Sequence, residues 1–198
     1  VHVNPAIGLT FAQGLRGMLR HDPNVMMVGE VRDVETAELA IRIALTGHLV
    51  LSTLHTNDAA GGITRLMDIG IEPYMLSSSL IAVIGQRLVR RLCLDCKEAY
   101  EPKQDEFGNI KLKADLIYKA KGCVSCNNTG YKGRISIAEV MVVSEEIKSL
   151  ISQRQPFQKI RDVAKANGMQ TLYDSALKKV EEGLTSLEDA LSITLGAE

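Results

Sequence analysis

Two Cys-x-x-Cys pairs, Cys93-x-x-Cys96 and Cys123-x-x-Cys126, stand 26 residues apart in a chain of 198. No other feature restricts the fold as much, because it asks two distant turns to meet. A two-residue gap lets both sulfurs of a pair reach one ion, and each turn offers backbone N–H groups to the thiolates. Four thiolates suit a tetrahedral Zn²⁺. A closed four-thiolate shell leaves no open position, so such a metal would hold the fold and take no part in chemistry. Disulfides fit poorly, since a chain opening without a secretory signal is expected in a reducing compartment. A thioredoxin-like redox site uses one such pair, not two. Free or redox-active thiols are the plain alternative.

Apolar residues make up 45% of the chain, with no Trp and 3 Phe, so the core must be aliphatic and extensive disorder is excluded. Lys plus Arg number 23 against 24 Asp plus Glu, a net charge of -1, which excludes a generally basic nucleic-acid coat and an acidic tail. The longest uncharged run, residues 73–86, falls short of the roughly 18 apolar residues a membrane span needs. The chain opens inside a pattern at Val1-His2-Val3-Asn4-Pro5 with no initiator Met, and reads as a fragment of something longer.

Residues 1–92 alternate helix and strand, which implies an α/β domain with a mostly parallel sheet. Thr10 and Gln13 form a capping box opening a helix over residues 11–20. Residues 25–28 are a short apolar run suited to a buried parallel strand. Helices follow over 35–46, closed by Gly47, and over 59–68 and 79–92, with a second strand over 49–54. Composition shifts at Cys93. Residues 93–133 hold the two knuckles and a polar insertion, 101–109. Residues 134–198 read as a strand and a helical tail punctuated by Pro156, Gly168 and Gly183.

Four groups of residues could carry chemistry. Glu30, delivered straight after the 25–28 strand, stands at the carboxyl edge of a parallel sheet, where α/β ligand sites lie. Such an acid holds Mg²⁺ through water or polarises an attacking water; a solvated loop acid is the alternative. His48 and His55 flank the second strand, seven apart, so one strand cannot aim both at one point. His55 has the better place, although a structural histidine is an equal reading. Arg16, Arg20 and Arg32 point at a ligand anion or form a solvated face. Arg87, Arg90 and Arg91 form a basic helix beside the first knuckle, for a phosphate backbone or, more plainly, a protein interface.

These residues resemble the secretion-superfamily hexameric ATPases, and within them the assembly ATPases of type II secretion and type IV pili. The motifs are NPAIGLTFAQGLRGMLRHDPNVMMVGEVRD, a Walker B strand with Gly-Glu in place of Asp-Glu, and ALTGHLVLSTLHTNDAAGGITRL, a His box. CLDC with GCVSCNNTGYKGR resembles the tetracysteine module of the assembly branch, and GMQTLYDSALKKVEEGLTSLEDAL the family's C-terminal helices.

The resemblance implies a partial RecA-like parallel-sheet ATPase core (1–92), a tetracysteine zinc-binding module (93–133) and a C-terminal strand and helical subdomain (134–198). It implies ATP and Mg²⁺ as ligands of the longer parent, and Zn²⁺ on Cys93, Cys96, Cys123 and Cys126. Glu30 would be the Walker B glutamate and His55 would sense or position the γ-phosphate, with His48 beside it. Arg16, Arg20 and Arg32 would reach nucleotide phosphates within or across a subunit boundary. The implied assembly is a homo-hexamer at the cytoplasmic face of the inner membrane. It would drive a platform protein to add pilin or pseudopilin subunits, with no nucleic acid among its partners.

The family's Walker A loop lies upstream of this stretch, and no G-x-x-x-x-G-K-[ST] occurs in the 198 residues. The chain alone is therefore expected to be inactive. The competing class is a zinc-ribbon binding module contacting nucleic acid or a protein through Arg87, Arg90 and Arg91.

Overall fold

A computed structural model describes residues 8–102, 110 and 112–194. Residues 4–7 of the first motif and residues 103–109 of the polar insertion lie outside the described residues. The chain divides into two compact units, residues 1–83 with 141–167 and residues 84–140 with 168–198.

The first unit is α/β. Helix α1 (Phe11–Met18) opens at Thr10, whose hydroxyl accepts the Gln13 N–H at 3.2 Å, and passes into a 3₁₀ turn over Leu19–His21. Strands β1 (Val25–Val28) and β2 (Leu49–Ser52) pair in parallel, Val25 opposite Leu49 and Val28 opposite Ser52. Parallel strands need a crossover, supplied here by α2 (Val34–Leu45). Its start is fixed by Asp33, which accepts the Thr36 N–H at 2.8 Å, and its end by Gly47 at φ +99°. Helix α3 (Ala59–Ile69) follows, capped by Asp58 and closed by Gly70 in the left-handed region. On β1, Met26 and Val28 are buried; Val25 and Met27, with Leu49 and Leu51 of β2, are exposed.

Helix α4 (Pro73–Ser79) corrects the expected helix over 79–92: the helix ends at Ser79, and residues 82–92 form a strand, β3 (Ala82–Leu92). Pro73 sits where a missing N–H costs nothing. Ser77, Ser78 and Ser79 return their hydroxyls to the carbonyls of Tyr74, Tyr74 and Met75. Apolar spacing at Leu80, Ile84 and Leu88 imitates a helix, but Ile81, Val83, Ile84 and Val89 are β-branched and favour extended backbone. Helices α5 (Glu145–Ser152) and α6 (Phe157–Ala166) complete this unit, α5 packed on α4 and α6 on α3. Ile63, Leu76, Ile147, Ile151 and Ile160 are fully buried, each worth about 1.5–3 kcal/mol of transfer free energy.

In the second unit, β3 pairs with β6 (Tyr131–Val142), and β4 (Glu98–Tyr100) pairs antiparallel with β5 (Ile117–Lys119). Helices α7 (Leu172–Glu181) and α8 (Leu187–Thr194) cover them. Thr171 and Asp174 form a full capping box at α7. The core joins Val89, Ile117 and Ile137 to Leu172, Ala176, Val180, Leu187 and Ala190. Buried Glu139 accepts the Leu172 N–H at the start of α7, 3.1 Å. Among the described residues no helix is long and apolar enough to cross a membrane.

Candidate functional site

Parallel pairing brings the carboxyl ends of β1 and β2 to one edge, so whatever follows each strand meets there. The Thr53 hydroxyl donates to the Gly29 carbonyl, and the Val31 N–H donates to the Thr53 carbonyl at 3.1 Å. These bonds lock the two post-strand segments side by side. Glu30 then stands with Oε2 3.6 Å from His55 Nε2 and 2.7 Å from Arg32 Nε. Its carboxylate is largely covered, while the His55 ring is 87% exposed. An acid, an imidazole and a guanidinium thus converge on an open sheet edge, a set able to hold a hydrated cation, orient a water and face an anion.

The other predicted residues take different places. His48 Nδ1 lies 3.1 Å from the Ile43 carbonyl and 3.1 Å from the Thr46 hydroxyl, at the start of β2. The structure does not bring it to Glu30: the length of β2 separates them. Arg16 pairs with Glu35 in the first turn of α2, 3.0 Å apart, and both are more than half exposed, so the pair is worth little. Arg20 is exposed on the 3₁₀ turn.

Three further residues stand by the loop that carries His55. Asp58 caps α3 by accepting the Gly61 N–H at 2.7 Å. A Cβ on Gly61 would meet that same Asp58 oxygen at 2.8 Å. Arg161 of α6 reaches Asp58, 3.8 Å away. The Asp58-x-x-Gly61 cap at the head of an apolar run was the available clue; Arg161 had none.

In the second unit the four cysteines converge. Their sulfurs lie within 4.8 Å of one another, with Cys93–Cys123 at 3.9 Å and Cys96–Cys126 and Cys123–Cys126 at 3.8 Å. A tetrahedron with metal–sulfur bonds of about 2.3 Å has edges of about 3.8 Å, whereas a disulfide needs about 2.05 Å. The Cys126 sulfur accepts the N–H groups of Cys123 and Gly130, both at 3.2 Å. Burial opposes its ionisation, but these amides and the neighbouring thiols prevail and bring its pKa down to about 6. At Cys96 burial dominates and pushes the thiol up to about 12. The Cys93 N–H donates to the Gly130 carbonyl at 2.9 Å and ties one knuckle to the other.

Arg87, Arg90 and Arg91 are on strand β3, not on a basic helix. Neighbouring strand residues point to opposite faces, so the three do not form one cationic surface. Arg90 is engaged internally, Nε 2.6 Å from Asp189 Oδ1, with its guanidinium carbon 3.9 Å above the Tyr131 ring. Its pKa is raised, first by that Asp189 hydrogen bond. The competing binding-module reading is not favoured by this arrangement.

The fold is similar to that of the PilT and DotB ATPases. A solved structure of the pilus retraction motor PilT with bound ADP superposes with a TM-score of 0.64 at 32% identity, over 93% of this chain and 43% of that one. The DotB ATPase of Legionella pneumophila gives 0.66 at 24% identity, over 94% and 42%. The chain belongs to the type II/IV secretion system protein family, which matches residues 1–192. It is 48% identical over 195 residues to the type II secretion system ATPase E of Vibrio cholerae, covering 97% of this chain and 39% of that protein. It is 48% identical over 198 residues to the type IV pilus assembly ATPase PilB of Thermus thermophilus, covering 98% and 22%. The chain therefore spans two-fifths or less of these relatives' length.

Proposed function

We propose that this chain is the Walker B, His-box and C-terminal part of a hexameric ATPase that couples ATP hydrolysis to type II secretion or type IV pilus assembly. Its first unit would be part of a RecA-like core. The observation that carries the reading is the convergence of Glu30 and His55 at the carboxyl edge of a parallel pair, in a chain of this family. Glu30 would hold Mg²⁺ through water and accept a proton from the attacking water. His55, exposed beside it, would face the terminal phosphate. Arg32 holds the Glu30 carboxylate in an ion pair, and together with Arg16 and Arg20 would offer positive charge to phosphates. Mg²⁺, when bound, would neutralise charge on the phosphates.

The four thiols fit Zn²⁺ by donor type and spacing, and Cys93, Cys96, Cys123 and Cys126 would hold it as a structural ion. A platform protein of the inner membrane and five further copies of the protein are the proposed partners, at the cytoplasmic face. The apolar outer face of β1 and β2 agrees with a sheet that is layered on both sides in the longer protein.

The test is Glu30→Gln in the longer protein. Turnover of ATP should fall by about 10²-fold or more, the contribution of a positioned base, with nucleotide binding kept. Unchanged turnover would overturn the assignment. The 198-residue chain alone, without a phosphate-binding Gly-Lys loop, should show no turnover above background.

A further inference from the structure

The segment between β2 and α3 carries His55, whose ring is 87% exposed. Packing does not hold such a ring; its distance from Glu30 is set by how the two ends of its loop are anchored. At the β2 end the anchors are the Thr53 bonds to Gly29 and Val31. At the α3 end the anchor is Asp58, which makes three contacts. Oδ1 accepts the Gly61 N–H at 2.7 Å, its carbonyl accepts the Thr56 hydroxyl at 3.1 Å, and Oδ2 lies 3.8 Å from Arg161 Nη1. Gly61 makes room for that close cap, since a Cβ there would meet Asp58 Oδ1 at 2.8 Å.

Arg161 arrives from α6, which packs on α3 and buries Ile160 and Ala164. The Arg161 and Asp58 side chains are only 23% and 17% exposed, so solvent and salt screen this pair less than the exposed pairs elsewhere in the chain. A carboxylate held by a helix cap on one oxygen and a guanidinium on the other has one orientation. Thr56, next to His55, hangs from the same residue.

We infer that Arg161 is a positioning residue for His55, acting through Asp58. It fixes the cap of α3 and with it the loop that presents His55 to Glu30. The inference rests on the proposed role of His55, but its test needs no nucleotide.

The experiment records the imidazole signals of His55 by NMR in the 198-residue chain at fixed pH, assigned by their loss in His55→Gln. Arg161→Met should move the His55 signals by more than a linewidth, and Arg161→Lys should return them toward the wild-type position. Asp58→Asn, which keeps the cap acceptor and removes the charge, should move them as well. Adding Arg161→Met to Asp58→Asn should produce no further movement. A folded Arg161→Met chain with His55 signals at the wild-type position overturns the inference; if that variant does not fold, unmoved signals in Asp58→Asn overturn it. An unmoved His55 leaves the ATPase reading intact, and unchanged turnover in Glu30→Gln leaves this coupling intact, so the two failures are distinct.

Discussion

Arg90 and Asp189, 99 residues apart in sequence, grip each other twice: Asp189 accepts the Arg90 side-chain Nε–H at 2.6 Å and its backbone N–H at 2.7 Å. Asp189 is nearly sealed, its side chain 5% exposed, and lies in the first turn of α8. Tyr131 lies under the guanidinium and puts its hydroxyl 2.6 Å from Ser186, at the approach to the same helix. Asp189→Ala should cost about 1.5–3 kcal/mol, the usual worth of hydrogen bonds to a charged group. The lower half of that range is expected, because Arg90 is half exposed and can turn to water. Urea denaturation measures it, and a loss below about 0.5 kcal/mol, less than an ordinary hydrogen bond contributes, would leave the clamp without energetic weight.

Removal of metal should act unevenly. Zinc-finger peptides gain on the order of 10–16 kcal/mol from a structural zinc. Chelation should therefore unfold residues 93–133, while α5 and α6, which belong to the other unit, respond less. Elemental analysis should find one zinc per chain, and circular dichroism should show a lower melting point after its removal. Identical melting with verified metal loss would rule out a structural role.

Gly130 offers a narrower handle on the thiol cluster. Its φ is +75°, a Cβ there would meet the Ala120 Cβ at 2.5 Å, and its N–H donates to the Cys126 sulfur. Gly130→Ala should cost about 1–3 kcal/mol through backbone strain and weaken metal retention at the same time. A competition titration against a coloured chelator reads the second effect. Gly133, at φ +81° with nothing within 4 Å of an added Cβ, is the control: Gly133→Ala should lose some stability and keep its metal.

Glu98 supplies a pH signature. The Lys121 hydrogen bond, and then its charge, hold Glu98 below the ordinary glutamate value of 4.5. Lys121 is raised above its ordinary 10.5 by the same bond. A lowered carboxylate stabilises the folded chain in full above 4.5 and loses that contribution as pH falls through the depressed value. A raised lysine contributes in full below 10.5 and loses it as pH rises beyond. The pair therefore supports β4 and β5 between these limits, more weakly at high salt. Lys121→Met should return the Glu98 carboxyl titration, followed by NMR, to the ordinary range.

The legible parts of this fold are those whose signals are local. Asp33, Gly47 and the short run 25–28 announce α2 and β1 within a few residues of where they act, and the four cysteines announce their cluster by spacing. Strand β3 reads as a helix in sequence because Leu80, Ile84 and Leu88 repeat at helical intervals. What decides the matter is pairing with β6 (Tyr131–Val142), whose residues lie far along the chain and add nothing to a local pattern. Glu30 and His55 are legible as a pair because parallel strands share an edge, and the seven-residue gap already sets His48 at the other end of the strand. Arg161 cannot be read at all: its meaning depends on α6 lying against α3, a packing fact with no trace around residue 161.

The β1–β2 pair has a practical side. Water stands against Val25, Met27, Leu49 and Leu51 together, and four aliphatic groups gathered on one flat ribbon seek each other across molecules. Preparations of these 198 residues by themselves will clump as concentration rises, and scattered light will report that before any spectroscopic change in the fold does.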